Sequence, residues 1–189
     1  MKKIVLLLCV VFMTAVLTAC GNSGDSAESG TEGGLKIAIV TSLTGVDDGN
    51  FNEDNYNGIL RFIENNPTAT VKAIKEETGD PAAAVQAVAD IVADYDVIVT
   101  PGFQFAGISS VAVENPDKLF VLIDSEPTPI GEQTEFDNVY SMMFAEQEGG
   151  FFAGMAAALE TKSNKVAVIN GIAYPTKVNY QLGFESGVK

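Results

Sequence analysis

Apolar residues in this chain fall into short unbroken runs, separated by longer stretches with helical spacing. Leu35, Ile37, Ile39 and Val40 form a β-branched-rich run that predicts a buried strand. The same pattern returns in Asp96–Thr100 (DVIVT), Lys118–Ile123 (KLFVLI) and Lys165–Ile169 (KVAVI), and Val139–Phe144 also reads as a strand. Thr70–Glu76 (TVKAIKE) alternates with period two, which predicts a strand on the outside of a sheet. Helical spacing fills the gaps. From Glu53 onward the chain reads as a helix, with Ile59, Leu60, Phe62 and Ile63 on one face of Tyr56–Asn65 and Asn66-Pro67 as its stop. Asp80-Pro81 supplies an N-cap and a first-position proline for a helix that continues through Ala84–Tyr95. Gly107–Val113, Glu146–Glu160 and Thr176–Val188 read as further helices. Strands alternating with helices predict an α/β fold, a doubly wound parallel sheet with right-handed crossovers.

Such a sheet binds ligands outside the carboxyl ends of its strands, where loop side chains and helix N-terminal N–H groups converge. Three predicted strand ends share that edge: Ser42–Asn52, Thr100–Phe105 and Asp124–Pro127. In the first, Phe51 is placed to stack on a flat ligand while Asp47, Asp48, Asn50 and Asn52 hydrogen-bond to it. The same spacing fits an N-cap turn with one buried Phe equally well. In the second, Gly102 permits close approach and Phe103 adds an aromatic, although Phe103, Phe105, Phe151 and Phe152 also suit core or interlobe packing. In the third, Asp124 and Glu126 suit hydroxyl acceptors or helix caps better than catalytic acids. Three such loops on one edge point to a site for a polar small molecule.

Composition narrows the chemistry. The chain has no His, which excludes a Ser-His-Asp triad, His-ligated zinc and an imidazole base. Its two cysteines, Cys9 and Cys20, both lie in an N-terminal segment that reads as a secretory signal: Lys2-Lys3, then the apolar run Ile4–Val16, then Leu17-Thr18-Ala19-Cys20. That ending resembles the bacterial lipobox, in which the cysteine is lipid-modified and becomes the mature N-terminus. Residues 1–20 are therefore expected to be signal and 21–34, rich in Gly, Ser, Glu and Thr, a flexible tether. The formal charge of −14 becomes −16 once Lys2 and Lys3 are removed, which disfavours nucleic acid as a partner. Asp48-x-Asn50-x-Asn52 opens like a calcium loop, but Glu53 stands where the turn glycine belongs and Ile59 where the bidentate Glu belongs. No G-x-G-x-x-G follows the first strand and no P-loop occurs, so the dinucleotide and P-loop readings fail; no cofactor is expected.

The segments GVDDGNFN, PGF, IDSEP, MFAEQEGGFFAGMAAAL and NGIAYPTKVNYQLGFESGV, in this order behind a lipobox, resemble the basic membrane protein family, the PnrA-like substrate-binding lipoproteins of ABC importers. The resemblance covers Leu35–Lys189. It implies a type I periplasmic-binding-protein-like fold of two α/β lobes joined by crossovers at a hinge. It also implies a purine or other nucleoside as the usual ligand between them. On this chain it implies ligand contacts from Asp47, Asp48, Phe51 and Asn52, with Phe51 as one side of a stacking sandwich and Asp124 accepting from ribose hydroxyls. Residues 35–144 would be the first lobe. Residues 145–189 would hold the crossover helix and the beginning of a second, incomplete lobe, poorly covered from about Glu160 onward.

The resulting expectation is a non-catalytic solute-binding protein, lipid-anchored through Cys20 on the extracytoplasmic face of the cell membrane. It would deliver a nucleoside to an ABC permease. Two alternatives stand beside it: a surface lipoprotein that senses a ligand without transport, and a carboxylate-dependent nucleoside hydrolase.

Overall fold

The computed structural model describes residues 33–171 and 174–189, so the signal, the lipobox with Cys20 and nearly all of the tether lie outside the described residues. Five parallel strands form one sheet in the order β2-β1-β3-β4-β5: β1 Lys36–Ser42, β2 Thr70–Glu76, β3 Val97–Pro101, β4 Leu119–Ile123 and β5 Val139–Met142. Between them run α1 Phe51–Asn65, α2 Pro81–Ile91, extended by a 3-10 turn at Val92–Asp94, and α3 Ser109–Glu114, which follows a 3-10 stretch at Phe103–Ile108. Two further helices follow, α4 Glu146–Glu160 and α5 Pro175–Val188.

The unbroken apolar runs arise because the sheet is covered on both faces. In β1, Ile37 and Ile39 point to one face, where they pack with Ile59 of α1, Val99 and Ile123. Val40, on the opposite face, joins Ala84 and Val88 of α2, Val111 and Ala112 of α3, and the fully buried Ile98, Phe105, Phe120 and Leu122. Placing α1 on one face and α2 with α3 on the other gives the doubly wound topology read from the sequence. β2 lies at the sheet edge, as its alternation predicts. Asp80 caps α2 by accepting from Ala82 N and Ala83 N, with Pro81 in first position.

Three expectations are corrected. Helix α1 begins at Phe51 rather than Glu53, so Phe51 and Asn52 belong to its first turn. Only Ile59, with Tyr56 and Ile63 beside it, faces the core; Leu60 and Phe62 are exposed, because a helix on a sheet buries a narrower stripe than four residues. Lys165–Ile169 forms no strand. No described strand lies beside it to complete a ladder, and Ile169 is 95% exposed.

Candidate functional site

The strand order reverses direction between β1 and β3, which places a crevice outside their carboxyl ends. The loops after β1, β3 and β4 therefore lie side by side, and all seven candidate ligand residues are on this edge. Their local roles differ.

Asp48 and Asn52 build the first loop. The Asp48 carboxylate accepts from the backbone N–H groups of Asn50 (3.0 Å), Glu53 (3.1 Å) and Asn52 (3.3 Å), and from the Thr44 hydroxyl (3.4 Å). Glu53 answers by accepting from Gly49 N at 2.7 Å, a reciprocal arrangement that satisfies donors the helix itself leaves unpaired. Desolvation tends to raise the pKa of Asp48, but these hydrogen bonds together outweigh it and hold the carboxyl below its ordinary value. Asn52 is buried and donates to Thr44 Oγ1 at 2.8 Å and to Thr44 O at 3.3 Å, tying the helix start to the far side of the loop. This pair fixes the loop's shape. Asp47 is exposed, and Phe51 is 37% exposed.

Gly102 continues the ladder by donating to Ile123 O at 2.8 Å and has φ +106, a conformation suited to glycine. It turns the chain so that Phe103 follows 40% exposed. Asp124, at the end of β4, has φ +59, which is uncommon for a residue with a Cβ. Its N–H donates to Met142 O at 2.9 Å, so the ladder to β5 holds the strained residue in place. Burial raises the pKa of Asp124; the charge of Lys177 in α5 lowers it in part, and Glu146 of α4 adds to the rise. A half-buried carboxylate on a strained strand end suits an acceptor for ligand hydroxyl groups.

The sequence reading missed two contributors to this edge. Glu76, at the end of β2, is buried and accepts from Thr78 N and Thr78 Oγ1 (both 2.6 Å), Gly79 N (2.8 Å) and Ser42 Oγ (3.4 Å). These bonds, led by that from the Thr78 hydroxyl, hold its pKa low and tie the β2 loop to the end of β1. The Glu-Glu-Thr-Gly-Asp-Pro run before α2 carried the signal. Tyr174, just before α5, packs its ring against Phe103 with centroids 4.9 Å apart and shares a 2.8 Å hydrogen bond with the Ser125 hydroxyl. The only local sign of it was an aromatic residue followed by Pro175.

The fold agrees with relationships to known proteins. Residues 36–189 match the family described as ABC transporter substrate-binding protein PnrA-like. The chain belongs to this family. A CD4+ T-cell-stimulating antigen of Listeria innocua is 30% identical, over 95% of this chain and 51% of the relative. An ABC transporter nucleoside-binding protein, BmpA, of Lactococcus lactis is 31% identical, over 100% of this chain and 54% of the relative. An ABC transporter solute-binding protein structure from Aeropyrum pernix shares the fold, with a TM-score of 0.66 at 23% identity, over 82% of this chain and 42% of its own. The chain spans about half the length of the curated relatives it matches. Membership of the PnrA-like family sets the chain among substrate-binding proteins rather than enzymes, and the hydrolase alternative is dropped.

Proposed function

We propose that the protein is the extracytoplasmic solute-binding component of an ABC importer and takes a nucleoside, with purine nucleosides favoured, at the carboxyl edge of its sheet. The observation that carries this reading is the combination on one edge of two exposed aromatic rings, Phe51 and Phe103, with the half-buried carboxylate of Asp124. Aromatic faces recognise a base and a carboxylate recognises sugar hydroxyls. The nucleoside-binding relative from Lactococcus supports the same ligand class. Asp47 supplies a further exposed acceptor at the rim, and Gly102 leaves room beside Phe103. Asp48 and Asn52 act chiefly by holding the loop that presents Phe51. Residues 35–144 serve as one lobe, and 145–189 lead into a second that closes over the ligand.

In the same reading, Cys20 carries the lipid anchor, residues 21–34 tether the domain to the membrane, and a permease receives the solute. Cys20→Ala then moves the protein from the membrane fraction to the soluble one; retention in the membrane pellet contradicts the anchor. For the ligand, a thermal-shift panel of nucleosides and free sugars on the full-length protein is the test. Stabilisation by purine nucleosides but not by sugars is expected, and sugar-selective stabilisation overturns the assignment.

A further inference from the structure

We infer that Tyr174 is a positioning residue of the binding cleft, one side chain that clamps both the Phe103 ring and the turn carrying Asp124. The inference rests on the nucleoside-type reading above. Its structural basis is a contact between segments far apart in the chain. Tyr174 lies 49 residues from Ser125, and its hydroxyl reaches the Ser125 hydroxyl at 2.8 Å. Ser125 is fully buried, and its carbonyl accepts from the Ser141 hydroxyl, so the tyrosine is tied to a point anchored from β5 as well. Ser125 directly follows Asp124, whose left-handed backbone leaves few ways to relax once its neighbour is held.

The other half of the clamp is aromatic. The rings of Tyr174 and Phe103 meet with centroids at 4.9 Å and planes inclined by 46°, a tilted pair within the favourable range. Phe103 follows Gly102, a position with unusual backbone freedom, and without a neighbour its exposed ring has several orientations open to it. Tyr174 selects among them. The turn that follows reinforces the contact: Pro175 opens α5 in first position, and Thr176 is buried with its hydroxyl unpaired among the described residues. Lys177, one helical turn after Tyr174, is the cation whose charge reaches Asp124. The first turn of α5 thus addresses the ends of both β3 and β4, and Tyr174 couples the base-facing ring to the sugar-facing carboxylate.

The test uses the full-length protein with inosine and 3′-deoxyinosine in calorimetric titrations. Tyr174→Ala should weaken inosine about tenfold, since ring and hydroxyl contacts are lost together. Tyr174→Phe should keep the ring contact and recover most of the affinity. It should still narrow the preference for inosine over 3′-deoxyinosine, because the turn bearing Asp124 is released. Wild-type affinity and preference in both variants overturn the inference. A second readout needs no ligand. These 189 residues contain no Trp, so in the 189-residue chain Phe103→Trp introduces a single reporter. Its emission should shift to the red when combined with Tyr174→Ala and stay unchanged with Tyr174→Phe. If wild type binds no nucleoside, the ligand assignment fails, and the spectral arm alone decides the clamp: a red shift upholds it and unchanged emission overturns it. If Tyr174→Ala does not fold, the narrowed preference in Tyr174→Phe decides, and its absence counts against the clamp.

Discussion

The sheet with α1 to α3 and the pair α4 with α5 are held together by opposite means. In the sheet, large side chains interdigitate: Phe105, Phe120, Ile39, Ile98 and Leu122 are all fully buried. In the helix pair, among the described residues, the buried positions are small: Gly150, Gly154, Thr176 and Gly183. There the backbones touch. A Cβ on Gly150 would lie 2.0 Å from Tyr180 O, and one on Gly183 would lie 2.0 Å from Gln147 O. Gly154 meets Phe184 O and Gly187 meets Phe151 O in the same manner, so each helix inserts its glycines against the other's carbonyls. Several large apolar side chains of the pair are exposed, Phe152 at 67% and Leu159 at 82% among them. Area burial therefore favours the sheet, while the helix pair depends chiefly on close backbone approach, which places it at the low-stability end of the 189-residue chain.

Mutations that exchange the two modes test this contrast. The largest effect is expected for Phe120→Ala, which removes a fully buried ring from the sheet core and should cost about 3–5 kcal/mol in chemical denaturation. In the same 189-residue chain Phe152→Ala, the same change at an exposed position of α4, should stay within about 0.5 kcal/mol. A comparable loss at both sites would show that the helix pair has a core of its own.

A smaller but local effect is expected from Gly183→Ala. The added methyl must push Gln147 O away, at about 1–3 kcal/mol for an overpacked contact. Hydrogen exchange should quicken in α4 and α5 and leave β1 and β3 unchanged; faster exchange throughout would mean that the two regions unfold as one unit.

Smaller again is the cap at the site. Asp48→Ala should cost about 0.5–2 kcal/mol near neutral pH, the usual range for losing an N-terminal cap. The sign of its pH dependence follows from the lowered pKa. A carboxyl whose folded value lies below its unfolded one contributes fully above the ordinary carboxylate range, and that contribution disappears as pH falls through the folded value. Wild type and Asp48→Ala should thus differ most near neutrality and converge in acid. A gap that widens in acid would contradict the capping role. In the 189-residue chain the smallest effect, within about 0.5 kcal/mol, is expected for Ile169→Ala at its exposed position outside any described strand.

The sheet was legible in the sequence because burial on both faces leaves unbroken β-branched runs, and Asp80-Pro81 announced its helix without help from tertiary structure. KVAVI had the same composition and formed no strand, since a strand also needs a neighbour and local pattern carries no information about one. The edge that holds the candidate site followed from alternation alone. What the sequence did not reveal was the division of labour within it. Asp47 and Asp48 are adjacent and chemically identical, yet one is exposed and the other is bound by four donors from its loop and the first turn of α1. Tyr174 was hidden for a similar reason, because its partners are set by packing across the sheet edge.

The central claim is that aromatic and carboxylate groups on the sheet's carboxyl edge bind the base and the sugar of one nucleoside. Calorimetric titration of the full-length protein with inosine and its 3′-deoxy analogue, in wild type, Phe51→Ala and Asp124→Ala, tests it most directly. The account predicts that Phe51→Ala weakens both ligands by about 1–3 kcal/mol, the range for one base–aromatic stack. It predicts that Asp124→Ala weakens inosine more than 3′-deoxyinosine. Unchanged affinities in both variants would place the site elsewhere on the molecule.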